Sequence, residues 1–126
     1  DTQNSLFLRL VIYRDFGKLE EALHDLERNI DYVQNSTSFT QNERDSISIN
    51  RYDELGNIYL ELEDHHNAIF YWEEVRNHRL KEFGKDHLSI YQIEDQLAAA
   101  YKEIGKYEKA ITYFEKAIEY YTQSNP

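Results

Sequence analysis

The sequence contains no cysteine and no methionine, four glycines and a single proline. The missing cysteine excludes a disulfide framework, thiolate chemistry and Cys-ligated zinc. The one proline is Pro126, so no interior position loses the backbone donor that keeps a helix continuous. No apolar run approaches the roughly 18 residues of a membrane span, and no stretch reads as a signal peptide. A cytoplasmic location is the expectation. Basic residues are also scarce, 14 Lys and Arg against 24 Asp and Glu, giving a formal net charge of −10. The resulting negative field disfavours nucleic acid and anionic membranes, and favours basic peptides or basic protein surfaces. Beginning Asp1-Thr2-Gln3 and lacking methionine, the chain is expected to be a piece of a longer polypeptide.

Catalytic and metal-binding patterns are equally thin. Of the five histidines, His65 and His66 are adjacent, so on a helix they point about 100° apart and suit one ion poorly. No His-x-x-x-His pair stands near a carboxylate, and neither metal nor cofactor is expected. The carboxylates read as solvated helix faces rather than an acid/base pair in an apolar pocket. No phosphate-cradling glycine loop and no Ser/His/Asp constellation is present. Enzymatic activity is not expected.

What the chain does have is self-similarity. Gly17-Lys18-Leu19-Glu20-Glu21-Ala22-Leu23 returns 88 positions later as Gly105-Lys106-Tyr107-Glu108-Lys109-Ala110-Ile111. A third copy, Glu63-Asp64-His65-His66-Asn67-Ala68-Ile69, lies between them with the glycine replaced. Tyr13, Tyr59 and Tyr101 stand four residues before each copy, and Leu26, Trp72 and Phe114 four residues after each alanine. Repetition of this kind means stacked supersecondary units.

Apolar spacing predicts six helices, near 4–16, 19–33, 43–62, 66–83, 87–104 and 107–122, and no segment alternates with period two. The fold class is therefore all-α. Small residues mark close helix crossings: Ala22, Ala68 and Ala110 on the second helices, faced by Gly56 and Ala98 and, in the first unit, by bulkier Leu10. Gly17, Gly84 and Gly105 are expected as left-handed helix ends. Glu63, in the equivalent place, must adopt another conformation or absorb about 1 kcal/mol of strain. The large apolar residues Leu26, Trp72 and Phe114 recur at one position of the second helices. The cations Arg76, His78, Arg79, Lys81 and Lys85 read as complementing a helix C-terminal dipole.

The pattern Leu55-Gly56, Tyr59, Ala68, Trp72, Val75, repeated as Leu97-Ala98, Tyr101, Gly105, Ala110, Phe114, Ala117, resembles the tetratricopeptide repeat. Unit one departs from it at Arg9 and Asn29. Tyr13 to Tyr59 is 46 residues and Tyr59 to Tyr101 is 42, against about 34 in the common form. The longer period, with the junction Leu80-Lys81-Glu82-Phe83-Gly84-Lys85-Asp86-His87, is similar to the kinesin light chain type. The resemblance implies a right-handed superhelical solenoid of three helix-turn-helix units, about 4–35, 43–84 and 86–123, forming one domain.

It also implies a concave groove lined by the first helix of each unit. The matching positions are Asn4, Phe7, Val11 and Arg14, then Asn50, Asp53, Asn57 and Leu60, then Gln92, Asp95, Ala99 and Lys102. Each set has the spacing of one helix face. The basic clamp that relatives use for acidic C-terminal tails is absent, since Phe7, Val11, Glu54, Gln92 and Gln96 occupy its positions. The expected function is protein–protein interaction: a peptide or protein partner, favoured if basic, held in the groove as part of a scaffold or adaptor. A peptide sensor controlling an attached effector domain, and a structural or oligomerisation segment, remain open alternatives. Apolar residues on the outer faces of the first and last helices predict either further repeats or end-to-end self-association.

Overall fold

The structure, a computed structural model, describes residues 2–15 and 17–124, and its regular secondary structure is entirely helical among these. In chain order the helices are α1 (Thr2–Asp15), α2 (Leu19–Asn35), α3 (Gln41–Glu61), α4 (His65–Phe83), α5 (Leu88–Glu103) and α6 (Tyr107–Ser124). Each packs mainly on its neighbours in sequence: α1 on α2, α2 on α3, and so on to α6. Such a chain of nearest-neighbour contacts is the signature of a stacked helical solenoid. The all-α reading holds, with helix ends displaced by one or two residues.

Capping explains the displacements. The Thr40 hydroxyl accepts from the Glu43 N–H at 3.1 Å, while the Glu43 carboxylate accepts from the Thr40 N–H at 2.9 Å. This reciprocal box starts α3 at Gln41 rather than at Glu43. Those hydrogen bonds also hold the Glu43 carboxyl below its ordinary range. His87, expected inside the fifth helix, is instead its N-cap, with Nδ1 accepting from the Ser89 N–H.

Turn geometry follows the repeat. Gly17 and Gly105 have φ of +73° and +81°, and Glu63 takes the same left-handed step at +61°. The middle turn therefore keeps the backbone of its neighbours and absorbs the side-chain strain. Gly84 also has positive φ, but its ψ of 171° makes it an extended break rather than the left-handed helical cap expected.

Two apolar clusters form the core. Leu6, Leu10, Ala22, Leu26, Leu55 and Ile58 join α1, α2 and α3. Ala68, Trp72, Val75, Ile93, Leu97, Ala98, Ala110 and Tyr113 join α4, α5 and α6. The reason for Gly56 differs from the expectation. A methyl group there would collide with the Trp72 indole, so glycine makes room for tryptophan rather than for Ala68. The third unit departs further, because Phe114 is 37% exposed while Tyr113 is only 6% exposed. Among the described residues nothing lies against the far side of α6, whereas Tyr113 turns inward toward Tyr101, ring centroids 6.1 Å apart. Tyr71 does the same in the second unit, stacking on Tyr59 at 5.8 Å.

The polar departures in unit one are matched by polar partners. Arg9 pairs with Asp25 at 2.9 Å, and Asn29 accepts a hydrogen bond from Arg51 Nε at 3.0 Å. Both are partners a generic pattern cannot supply.

Candidate functional site

The predicted groove residues lie on helices held from behind by the core. On α1, Asn4, Phe7 and Val11 are exposed, while the Arg14 side chain lies outside the described residues. On α3, Asn50 and Leu60 are exposed and Asp53 and Asn57 half-buried; on α5, Gln92, Ala99 and Lys102 are exposed and Asp95 half-buried. The stripe thus presents apolar groups on α1, amides on α3 and α5, and a carboxylate sunk midway along each of the latter helices.

Those two carboxylates are not free acids. Asp53 Oδ2 lies 3.5 Å from the Arg79 guanidinium of α4. Its other oxygen is buried, and the Trp72 indole N–H beside the carboxylate favours its charged form. Burial pushes the Asp53 carboxyl above the usual range, outweighing the attraction of Arg79. Asp95 is also raised, by burial and then by the negative charge of Glu94. At the place where Arg79 stands beside Asp53, the third unit has Tyr121, whose phenol is raised by burial and by the charge of Asp95. The acidic contribution of the stripe is therefore partly neutralised from within at α3 and partly suppressed at α5.

Three residues that sequence reasoning placed elsewhere or passed over organise this region. Arg76 Nε reaches Glu94 Oε2 at 2.7 Å, with the Glu94 side chain only 2% exposed. Arg79 Nη1 donates to the Ser89 carbonyl at 3.2 Å. These arginines fasten α4 to α5 and α3, which replaces the helix-dipole reading for those two residues; Lys81 stands exposed in the last turn of α4, where that reading still applies. The repeat spacing offered a signal, since Asp53–Arg79 and Asp95–Tyr121 are both 26 residues apart. A shallow polar cleft of about 210 Å³ opens at the other end of α3, where Gln34, Asp45, Ser48, Glu74, Asn77, His78 and Lys81 meet. His78 is half-buried there, 3.2 Å from Glu82.

No helix among the described residues is long and apolar enough to cross a membrane. Comparison with curated proteins gives no match. A family model described as Tetratricopeptide repeat matches residues 46–123, from within α3 to within α6. The match spans more than half of the sequence and coincides with the repeated helix pairs of the fold: the chain belongs to the tetratricopeptide repeat family.

Proposed function

We propose that this chain is the partner-binding part of a scaffold or adaptor, built from long repeats of the kinesin light chain type, and that it holds a peptide along the stripe on α1, α3 and α5. Repeats of this family mediate protein–protein interaction. The observation that carries the reading is the combination of exposed or half-buried amides with a rigid backing. Asn50, Asn57 and Gln92 sit on helices whose opposite faces are buried, so their hydrogen-bonding groups are placed in advance. Side-chain amides both donate and accept, as an extended peptide backbone does. Phe7 and Val11 on α1, with Leu60 on α3, add apolar contact toward unit one.

The favoured ligand is a peptide with an apolar residue near its α1 end and neutral or basic side chains elsewhere. The net charge of −10 assists the approach of such a ligand. Asp53 contributes less than a free carboxylate because Arg79 already faces it.

A peptide library screened against the chain and against an N50A/N57A/Q92A variant tests the reading. Binders should lose at least about tenfold in affinity on the variant, equivalent to about 1.4 kcal/mol, with unchanged helical circular dichroism. Binders indifferent to all three amides would remove the groove from the proposal.

A further inference from the structure

The cleft where α2, α3 and α4 meet exists because unit two uses smaller residues there than unit three. Counting on 42 residues, Ser48, Ile49 and His78 become Ile90, Tyr91 and Tyr120. Ile90 is buried, and Tyr91 stacks on Tyr120 with ring centroids 4.1 Å apart. Unit two has neither ring, and a hollow of about 210 Å³ stands in their place. Each of its three helices packs between two others, so the hollow is not an end face of the stack. Its α3 lining, Asp45, Ser48, Ile49 and Tyr52, lies roughly 100° around the helix from Asn50, Asp53 and Asn57. It is therefore separate from the peptide stripe.

The polar groups left over inside the hollow are mostly acceptors. Gln34 uses its amide nitrogen on the buried Ser48 hydroxyl, which leaves the Gln34 oxygen to accept. Asp45 Oδ1 accepts from Gln41 at 2.8 Å, with Oδ2 in reserve. Among the described residues Glu74 and Asn77 make no hydrogen bond or ion pair, while His78 is turned to Glu82 at 3.2 Å. Against these acceptors stand the Lys81 ammonium and the donors of Asn77 and Ser48. Ile49 and Tyr52 add an apolar patch. Sites for drug-sized molecules start at about 300 Å³, so this hollow is sized for a single side chain.

We propose that this cleft binds a guanidinium group, presented either by an arginine of a bound peptide or by a free guanidino compound. Five N–H donors on a flat head suit acceptors that arrive from three helices, and an ammonium offers only three on a compact one. The methylene stem and the planar face lie on Ile49 and Tyr52. A net charge of −10 favours a cation over an anion of the same size. Lys81, exposed in the last turn of α4, opposes this guest from the rim. Removing its charge therefore tells a cationic guest from an anionic one.

The test titrates the 126-residue chain, at matched ionic strength and followed by proton–nitrogen NMR, with three probes. These are acetyl-Gly-Arg-Gly-amide, its citrulline counterpart, which keeps the shape and loses the charge, and free arginine. Millimolar binding of the arginine peptide is expected, with shifts centred on Gln34, Ser48 and Asn77, and the citrulline peptide should bind at least about tenfold more weakly. Glu74→Gln should weaken the arginine peptide severalfold and Lys81→Ala should tighten it. I49Y/H78Y, which copies the stacked pair of unit three, should close the cleft and abolish the shifts. Free arginine binding as well as the peptide, or at least about tenfold worse, decides between the two sources, and either result keeps the guanidinium assignment. Equal affinity for the citrulline peptide, or no shift at the cleft with any probe, overturns the proposal. Weaker binding to the Lys81→Ala variant would give the site to an anion and overturn it as well.

Discussion

Arg76 and Glu94 join α4 to α5 through a 2.7 Å contact in which the carboxylate side chain is almost fully buried. The same place in the preceding seam pairs the positions of Ile30 and Tyr52, both packed into an apolar cluster. One fold thus tolerates an ionic and an apolar solution at equivalent points. The ionic solution depends on both partners, because a buried carboxylate deprived of its cation keeps its desolvation cost. Arg76→Ile alone should therefore destabilise the chain by about 3 kcal/mol. R76I/E94Y, which copies the earlier seam, should recover most of that loss. Urea midpoints of the two variants decide the matter; a double variant no better than the single one would show that the seams are not interchangeable.

Close packing at Trp72 gives a second prediction. In an exposed helix interior Gly→Ala gains up to about 1 kcal/mol. At Gly56 the added methyl meets the indole, and Trp72 is only 1% exposed, so the ring has nowhere to go. Gly56→Ala should be net destabilising by about 1–3 kcal/mol, as should Ala68→Leu at the neighbouring crossing. Thermal melts in which Gly56→Ala is as stable as the parent would mean that the ring shifts freely.

Much of this architecture was legible in the sequence, and for a physical reason. Helix periodicity, the Gly/Glu turn and the recurring alanine are local or repeated patterns, and three copies reinforce one another. Glu63 copying the positive φ of Gly17 and Gly105 shows how strictly the repeat governs the backbone. Pairings between elements were not legible. The partner of Asp53 is Arg79 and the partner of Asn29 is Arg51, and the 26-residue spacing shared with Asp95–Tyr121 marks equivalent positions without telling a paired arginine from a solvated one. Phe114 and Tyr113 are both large, adjacent and aromatic, and nothing in the repeat pattern says that Tyr113 is the one that packs toward Tyr101. Of the candidate groove positions, Asp53, Asn57 and Asp95 are half-buried rather than open, and the pairing of Asp53 with Arg79 changes the charge the stripe presents.

The middle turn supplies a third prediction. Glu63 holds φ of +61°, which costs a side-chain-bearing residue about 1–2 kcal/mol and glycine almost nothing. Glu63→Gly restores the residue found in the other two turns. Part of the gain is offset by the added freedom of the unfolded chain. The variant should be more stable by about 0.5–1 kcal/mol, seen as a rise in Tm with unchanged helical content. A fall in Tm would reveal a compensating role for the Glu63 side chain.

The last prediction concerns Asp53 and pH. Its carboxyl is raised above the usual value chiefly by burial, with Arg79 opposing. A raised carboxyl binds its proton more readily in the folded state than in the unfolded one. Its contribution to stability is therefore complete below the ordinary carboxylate value, and is lost as pH rises through the raised folded value. Asp53→Asn keeps the shape and removes the titration. Relative to the parent, the variant should gain ground as pH rises above the ordinary carboxylate value and level off once Asp53 is fully ionised in the parent. Asp95→Asn should move the same way, because burial and the charge of Glu94 both raise that carboxyl. Thermal melts at half-unit pH intervals measure both differences. An Asp53→Asn variant that loses ground as pH rises would show that the 3.5 Å pair with Arg79 outweighs the burial of the carboxylate.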